Sequence, residues 1–269
     1  MKQKPQVLIM VRIALIFIIQ CVLINGCTLK EDYKSAEENG KDHKAQEIVD
    51  KAIATHGGEM FINSKISFVF RGQKFIVEQN KTSFKYEREA IQDGDSITDV
   101  YENGIFQREI NGNLVTMSKK EEASAISTIN SVPYFALLPY KLNDSAVIKE
   151  YDGEVTIKGE IYEKIKVTFQ QEGGGKDYDN VFYYWFHKEN STMDYFGYTT
   201  EGNRFRAAYN VRVVNGIRFA DYINYVSDTL NKYDLINYDN MFENNELREL
   251  SIIELEDIIV EEILVSDNH

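Results

Sequence analysis

Dipeptides that reverse a chain within two residues punctuate this sequence: Asp93-Gly94, Asn103-Gly104 and Asn111-Gly112 each stand between short apolar runs. Asp-Gly and Asn-Gly suit type I′ hairpins, because both central residues must adopt left-handed backbone angles. A two-residue connection cannot carry a parallel crossover, so neighbouring strands must be antiparallel. The runs Ile66–Phe70, Lys74–Glu78, Ser83–Arg88, Ile97–Glu102, Phe106–Ile110 and Leu114–Met117 are therefore expected as a meander. A second series follows at Val147–Tyr151, Val155–Ile157, Tyr162–Phe169, Val181–His187, Met193–Thr199, Phe205–Val214 and Phe219–Val226. Asp152-Gly153 and Asn215-Gly216 are expected to be hairpin turns in it, and Gly173-Gly-Gly175 a hairpin loop. The tail 247–265 mixes apolar and acidic residues and is read as one closing strand.

Two segments have a helical period instead. Ala45, Ile48, Val49, Ala52 and Ile53 recur at the spacing of one buried stripe, and the helix is expected to stop at His56-Gly57-Gly58. Ser118 followed by Glu121 is a capping box, and Ala123, Ile126 and Ile129 supply an apolar face. The apolar segment Val132-Pro-Tyr-Phe-Ala-Leu-Leu-Pro-Tyr140 carries two prolines and is read as a docked loop or a broken short helix.

Val181-Phe-Tyr-Tyr-Trp-Phe-His187 does not alternate, so large rings point to both faces of that strand. Such a strand must be covered on both sides, by helices, a second layer or a ligand. Phe68 and Phe70 share one face of their strand, as do Phe75 and Val77 of the next. These rings form either a core packed under helices or the lining of a cavity for an apolar ligand. For the second case the candidate ligand-binding residues are Phe68, Phe70, Arg71, Phe75, Tyr134, Phe135, Tyr183 and Trp185. Arg71 among aromatics is read as orienting a lipid headgroup or a lid helix, or as an edge-strand surface residue.

The first 26 residues have a basic start and an apolar run from Ile13 to Ile24. That run is about a dozen residues, within the ~7–15 of a signal peptide and short of the ~20 of a spanning helix. Leu23-Ile24-Asn25-Gly26-Cys27 resembles a lipobox, with a small residue before the cut and a thiol to accept diacylglycerol. Cys27 is thus the expected lipid attachment site, and a start at Met10 would make a more compact signal. Stable anchoring takes two or more acyl chains, which a lipidated cysteine supplies. Residues 27–43 are polar and charged and read as a flexible tether. Lys30-Glu31-Asp32 resembles the signal that exports some lipoproteins to the cell surface, so both faces of the outer membrane stay open. The expected organisation is a signal over 1–26, a tether over 27–43 and a single domain over 44–269.

Formal charge is −13, and −16 once Lys2, Lys4 and Arg12 leave with the signal. A field of that sign disfavours nucleic acid and anionic headgroups. No cysteine follows Cys27, which excludes a disulfide framework or a cysteine-based zinc site in the folded part. The four histidines, His43, His56, His187 and His269, have no metal-ligand spacing. No GxSxG elbow, phosphate loop or dinucleotide fingerprint occurs. No cofactor is implied. His56 is a candidate base, although a histidine at a helix end beside two glycines is more often a cap.

The helix ending His56-Gly57-Gly58, the strand Phe68-Val-Phe-Arg-Gly72, the segment Val132–Pro139 and Val214-Asn-Gly-Ile-Arg-Phe219 together resemble an uncharacterised family of Bacteroidetes lipoproteins. That family is similar in outline to the LolA/LolB lipoprotein carriers. The resemblance covers about residues 44–265. It implies an α+β fold: a large curved antiparallel sheet, an open half-barrel, with two or three helices on its concave face. Functionally it implies an outer-membrane lipoprotein that binds a lipid or other apolar ligand and is not an enzyme. A non-catalytic partner-binding protein with a solid core, docking on another envelope protein, and a hydrolase-like enzyme using carboxylates or His56 are the alternatives.

Overall fold

The computed structural model describes residues 43–172, 180–199, 203–228 and 232–263. The expected signal, Cys27, nearly all of the tether and the Gly173-Gly-Gly175 loop lie outside the described residues. Apart from His43 and Lys44, the described residues belong to one compact unit, Ala45–His269.

The fold is α+β, with two unclosed antiparallel sheets of seven strands each. The first runs in chain order through β1 (Ser64–Phe70), β2 (Gln73–Gln79), β3 (Phe84–Gln92), β4 (Asp95–Glu102), β5 (Ile105–Ile110) and β6 (Asn113–Leu114). The second runs through β7 (Val147–Ile157), β8 (Glu160–Phe169), β9 (Phe182–His187), β10 (Met193–Tyr198), β11 (Arg204–Val214) and β12 (Ile217–Val226). Two last strands, β13 (Arg248–Ile253) and β14 (Glu256–Glu262), add to β12 and β1 respectively. Helix α1 covers 43–56, α2 is Lys119–Ala136 and α3 is Tyr238–Glu243. One continuous sheet was the expectation; α2 and the turn after it divide the meander into two.

The hairpins follow from their dipeptides. Asp93-Gly94, Asn103-Gly104, Asn111-Gly112 and Asn215-Gly216 all have positive φ at both positions, as the type I′ turn requires. The Asn side chains add a second hold: Asn103 Oδ1 accepts the Phe84 N–H at 2.9 Å, and Asn111 Oδ1 that of Ser96 at 3.0 Å.

Three local expectations are corrected. Asp152-Gly153 does not turn the chain; β7 passes through it with a one-residue bulge between Tyr151 and Glu154. A glycine at φ 104° serves a bulge as readily as a turn, and the reversal falls at Lys158-Gly159. The segment from Val132 is neither a loop nor a separate short helix, because α2 continues through Pro133 to Ala136. Pro133 cannot donate to the carbonyl of Ile129, but its ring is buried in the core, which offsets the lost bond. The tail is two strands and not one, since it pairs first with the second sheet and then with the first.

Asp221 secures that crossing. It is buried, and its Oδ1 accepts the Leu255 N–H at 2.9 Å and the Arg212 guanidinium at 3.0 Å. Its Oδ2 accepts Asn210 Nδ2 at 2.6 Å.

Side chains fill three buried clusters. On the first sheet Phe68, Phe75, Val77 and Tyr86, with Phe61 from the turn before β1, meet Ile129 and Val132 of α2. On one face of the second sheet Ile165, Tyr184, Phe186 and Phe196 meet Ala45, Val49 and Ala52 of α1. On the opposite face Tyr162, Tyr183, Trp185 and Phe205 meet Leu235, Tyr238 and Met241. The rings of β9 are thus covered on both sides by helical segments.

Candidate functional site

The carboxy-terminal half of α2 carries Tyr134 and Phe135 over one end of the second sheet. Three strands end or begin there, at Phe169, Phe182 and Tyr198, and Arg206 lies two residues into β11. The side chains make a circuit that is closed through the α2 backbone between Tyr134 and Phe135. Tyr134 meets Phe169 edge-on at 6.2 Å, Phe169 meets Phe182 at 5.4 Å, and Phe182 meets Tyr198 at 5.9 Å. Arg206 closes it, with its guanidinium 4.9 Å from the Tyr198 ring and 5.6 Å from that of Phe135. Phe70 leans on Phe135 from the first sheet at 5.1 Å. All of these side chains are partly exposed, in contrast to the sealed floor of Tyr184 and Phe196 beneath them.

Arg206 is the chemical centre of the circuit. Nε donates to Asn224 Oδ1 at 3.1 Å and Nη2 to the Tyr198 hydroxyl at 2.8 Å. The group also lies 5.0 Å from the Phe196 ring. Neutral oxygens and π faces stabilise a cation, but less than a carboxylate does. Burial accordingly pulls the guanidinium below the usual arginine range. Burial also raises Tyr134 well above the ordinary phenol value. Its hydroxyl faces that of Tyr184 without a well-aligned hydrogen bond.

The structure scatters the residues singled out from sequence. Tyr134, Phe135 and Phe70 belong to the circuit. Phe68 and Phe75 stack at 5.7 Å inside the first sheet's core, both fully buried. Tyr183 and Trp185 lie on the far face of the second sheet, where Trp185 Nε1 donates to Asp239 Oδ2 at 3.0 Å. Lys164 reaches the same oxygen at 2.8 Å and the Ile236 carbonyl at 2.6 Å, tying α3 to the sheet. Arg71 sits exposed in the β1–β2 turn at φ 52°, beside the Phe70 ring. Cys27 lies outside the described residues.

Sequence reasoning missed Phe169, Phe182, Tyr198 and Arg206. The available signal was Arg206 itself, a cation flanked directly by Phe205 and Ala207 in the run Arg-Phe-Arg-Ala-Ala.

His56 is committed to structure. Nδ1 lies 2.7 Å from the Ala52 carbonyl and so carries the ring proton, leaving Nε2 to accept from Arg218 at 3.0 Å. Burial first, then the Arg218 charge, lowers its pKa to about 4. Among the described residues no group of three His, Cys, Asp or Glu is placed to hold a metal ion. An open recess of about 270 Å³ beside Glu160, Ile161 and His187 lies at the other end of β8 and β9 from the circuit.

A family model matches residues 27–255, most of the chain. The chain belongs to DUF6503, a family of unknown function. No curated protein matches this DUF6503 chain. Solved structures similar to it include a LolA superfamily protein from Nitrosomonas europaea, at 11% identity and TM-score 0.47, covering 81% of this chain and 94% of that one. Another is an outer membrane lipoprotein-sorting protein domain from Vibrio parahaemolyticus, at 9% and 0.43, covering 82% and 93%. The lipoprotein LppX of Mycobacterium tuberculosis is similar at 10% and 0.29, over 60% and 91%.

Proposed function

We propose that this DUF6503 chain is an envelope lipoprotein, held at the outer membrane by acylated Cys27, whose domain binds a lipid or other apolar ligand at the aromatic circuit. The observation that supports the reading is the contrast within one cluster. Its floor is sealed, while six rings and one cation above it are left partly exposed at a single end of the sheet. Apolar surface withdrawn from water is worth roughly 25 cal/mol per Å², enough for an acyl chain to compete with the present ring contacts.

The rings now touch one another, so a ligand enters by parting Phe135 and Tyr134 from the sheet. Pro133, which cannot donate to the preceding turn, lies at the base of that half-helix.

The test is native mass spectrometry of the full-length protein together with titration of a fluorescent fatty acid. Uptake that Phe135→Ala and Phe182→Ala each weaken is the expected result. No uptake by the unaltered protein would sink the reading. A second reading, a solid domain that docks on another envelope protein, is favoured by the completely buried Phe68, Phe75, Tyr184 and Trp185. It predicts no uptake and no effect of either substitution.

A further inference from the structure

Most buried or half-buried cations among the described residues are matched to acids; Lys149 and Arg204, like Arg206, rest on neutral oxygens. Arg88 and Arg108 share Asp99, Arg212 has Asp221, Arg218 has Asp194 and Lys164 has Asp239. Among the described residues Arg206 has Asn224 and Tyr198 as hydrogen-bond partners and three aromatic faces around it. No carboxylate among the described residues forms an ion pair with it. A guanidinium largely withdrawn from water without an anion is costly, and the cost falls when an oxyanion arrives. Burial lowers the affinity of Arg206 for its proton, as expected of a cation short of negative charge. Its position matters equally: it closes the circuit through which an apolar tail would pass.

Resting on the reading above, we propose that Arg206 anchors the anionic head of the ligand, so that the site takes an acyl chain ending in a carboxylate or phosphate and discriminates against a neutral lipid. The guanidinium presents a planar fork of donors that suits either oxyanion. The two heads share one chemistry and differ in source, a free fatty acid or a phospholipid.

A calorimetric series on the full-length protein separates the possibilities, using oleate, oleyl phosphate, oleyl alcohol and inorganic phosphate. At least one charged amphiphile should bind about tenfold or more tighter than oleyl alcohol, the worth of one hydrogen bond to a charged group. The better head identifies the source. In Arg206→Gln that gap should close to about twofold while oleyl alcohol still binds, and Arg206→Lys should keep part of it. Equal affinity for oleate, oleyl phosphate and oleyl alcohol in the unaltered protein would overturn the anchor and leave the lipid reading standing. Absence of binding by all three would overturn the lipid reading, and the anchor with it. Inorganic phosphate binding as tightly as oleyl phosphate would make Arg206 a site for free anions, against the proposal. Should Arg206→Gln fail to fold, the head-group ratio in the unaltered protein and in Arg206→Lys still decides.

Discussion

His56 shows how one buried side chain couples this fold to pH. Its folded pKa of about 4 lies below the 6.5 of an unhindered histidine. As pH falls below 6.5, the unfolded chain takes up a proton that the folded protein refuses. The stabilisation is therefore whole above 6.5 and is lost progressively down to about 4. Denaturant titrations should show a fall of about 1–2 kcal/mol between neutral pH and about pH 5, before most carboxylates titrate. His56→Gln should flatten that part of the profile; an unchanged slope would mean the ring is not buried as neutral imidazole. Asp221 works on the same scale. Asp221→Ala would leave the Leu255 N–H without its acceptor and Arg212 with backbone carbonyls alone, and should cost about 3–5 kcal/mol in unfolding free energy.

At the scale of elements, α2 matters most, because it spans both cores. Its start is written locally: Ser118 Oγ accepts the Glu121 N–H at 3.3 Å, and Glu121 accepts the Ser118 N–H at 2.9 Å. Removing that box with Ser118→Ala should cost about 1 kcal/mol, readable as a lowered midpoint in thermal unfolding. Its far end is set by packing, since Pro133 is carried inside the helix against its propensity. The 3-10 turn Lys232–Asn237 and α3 on the opposite face make a separate test of which rings serve the ligand. Trp185 lies there, bonded to Asp239. Trp185→Phe should therefore lower stability yet leave fatty-acid uptake unchanged in the fluorescence titration. Loss of uptake in a folded Trp185→Phe protein would move the site to the other face.

For the whole molecule, the proposal links a tethered address to a sheet-borne site. Cys27→Ala should shift the protein from the membrane to the soluble fraction on cell fractionation. Persistence in the membrane would mean another form of attachment. Because two acyl chains suffice for stable anchoring, the folded domain needs no apolar span of its own. Among the described residues no helix is long and apolar enough to cross a membrane.

The strands and most hairpins were legible because their determinants are local: period-two patterning, and Asn-Gly or Asp-Gly pairs that accept positive φ. The capping box of α2 and the stop of α1 at His56 were legible for the same reason. The division into two sheets was not, because sheet membership depends on which edges meet across the chain. Neither was the function of Asp152-Gly153, since bulge and turn use the same backbone angles. The site was half readable. Tyr134, Phe135 and Phe70 stand out as rings beside helix-breaking or turn residues. Phe169, Phe182, Tyr198 and Arg206 are spread over four strands and become neighbours only when the second sheet is assembled. Sequence alone determined the antiparallel strands, the acidic disulfide-free composition and the expectation of a lipidated Cys27. Only the tertiary structure decided which rings were sealed and which stayed open, because burial is a property of the packed sheet and not of the strand.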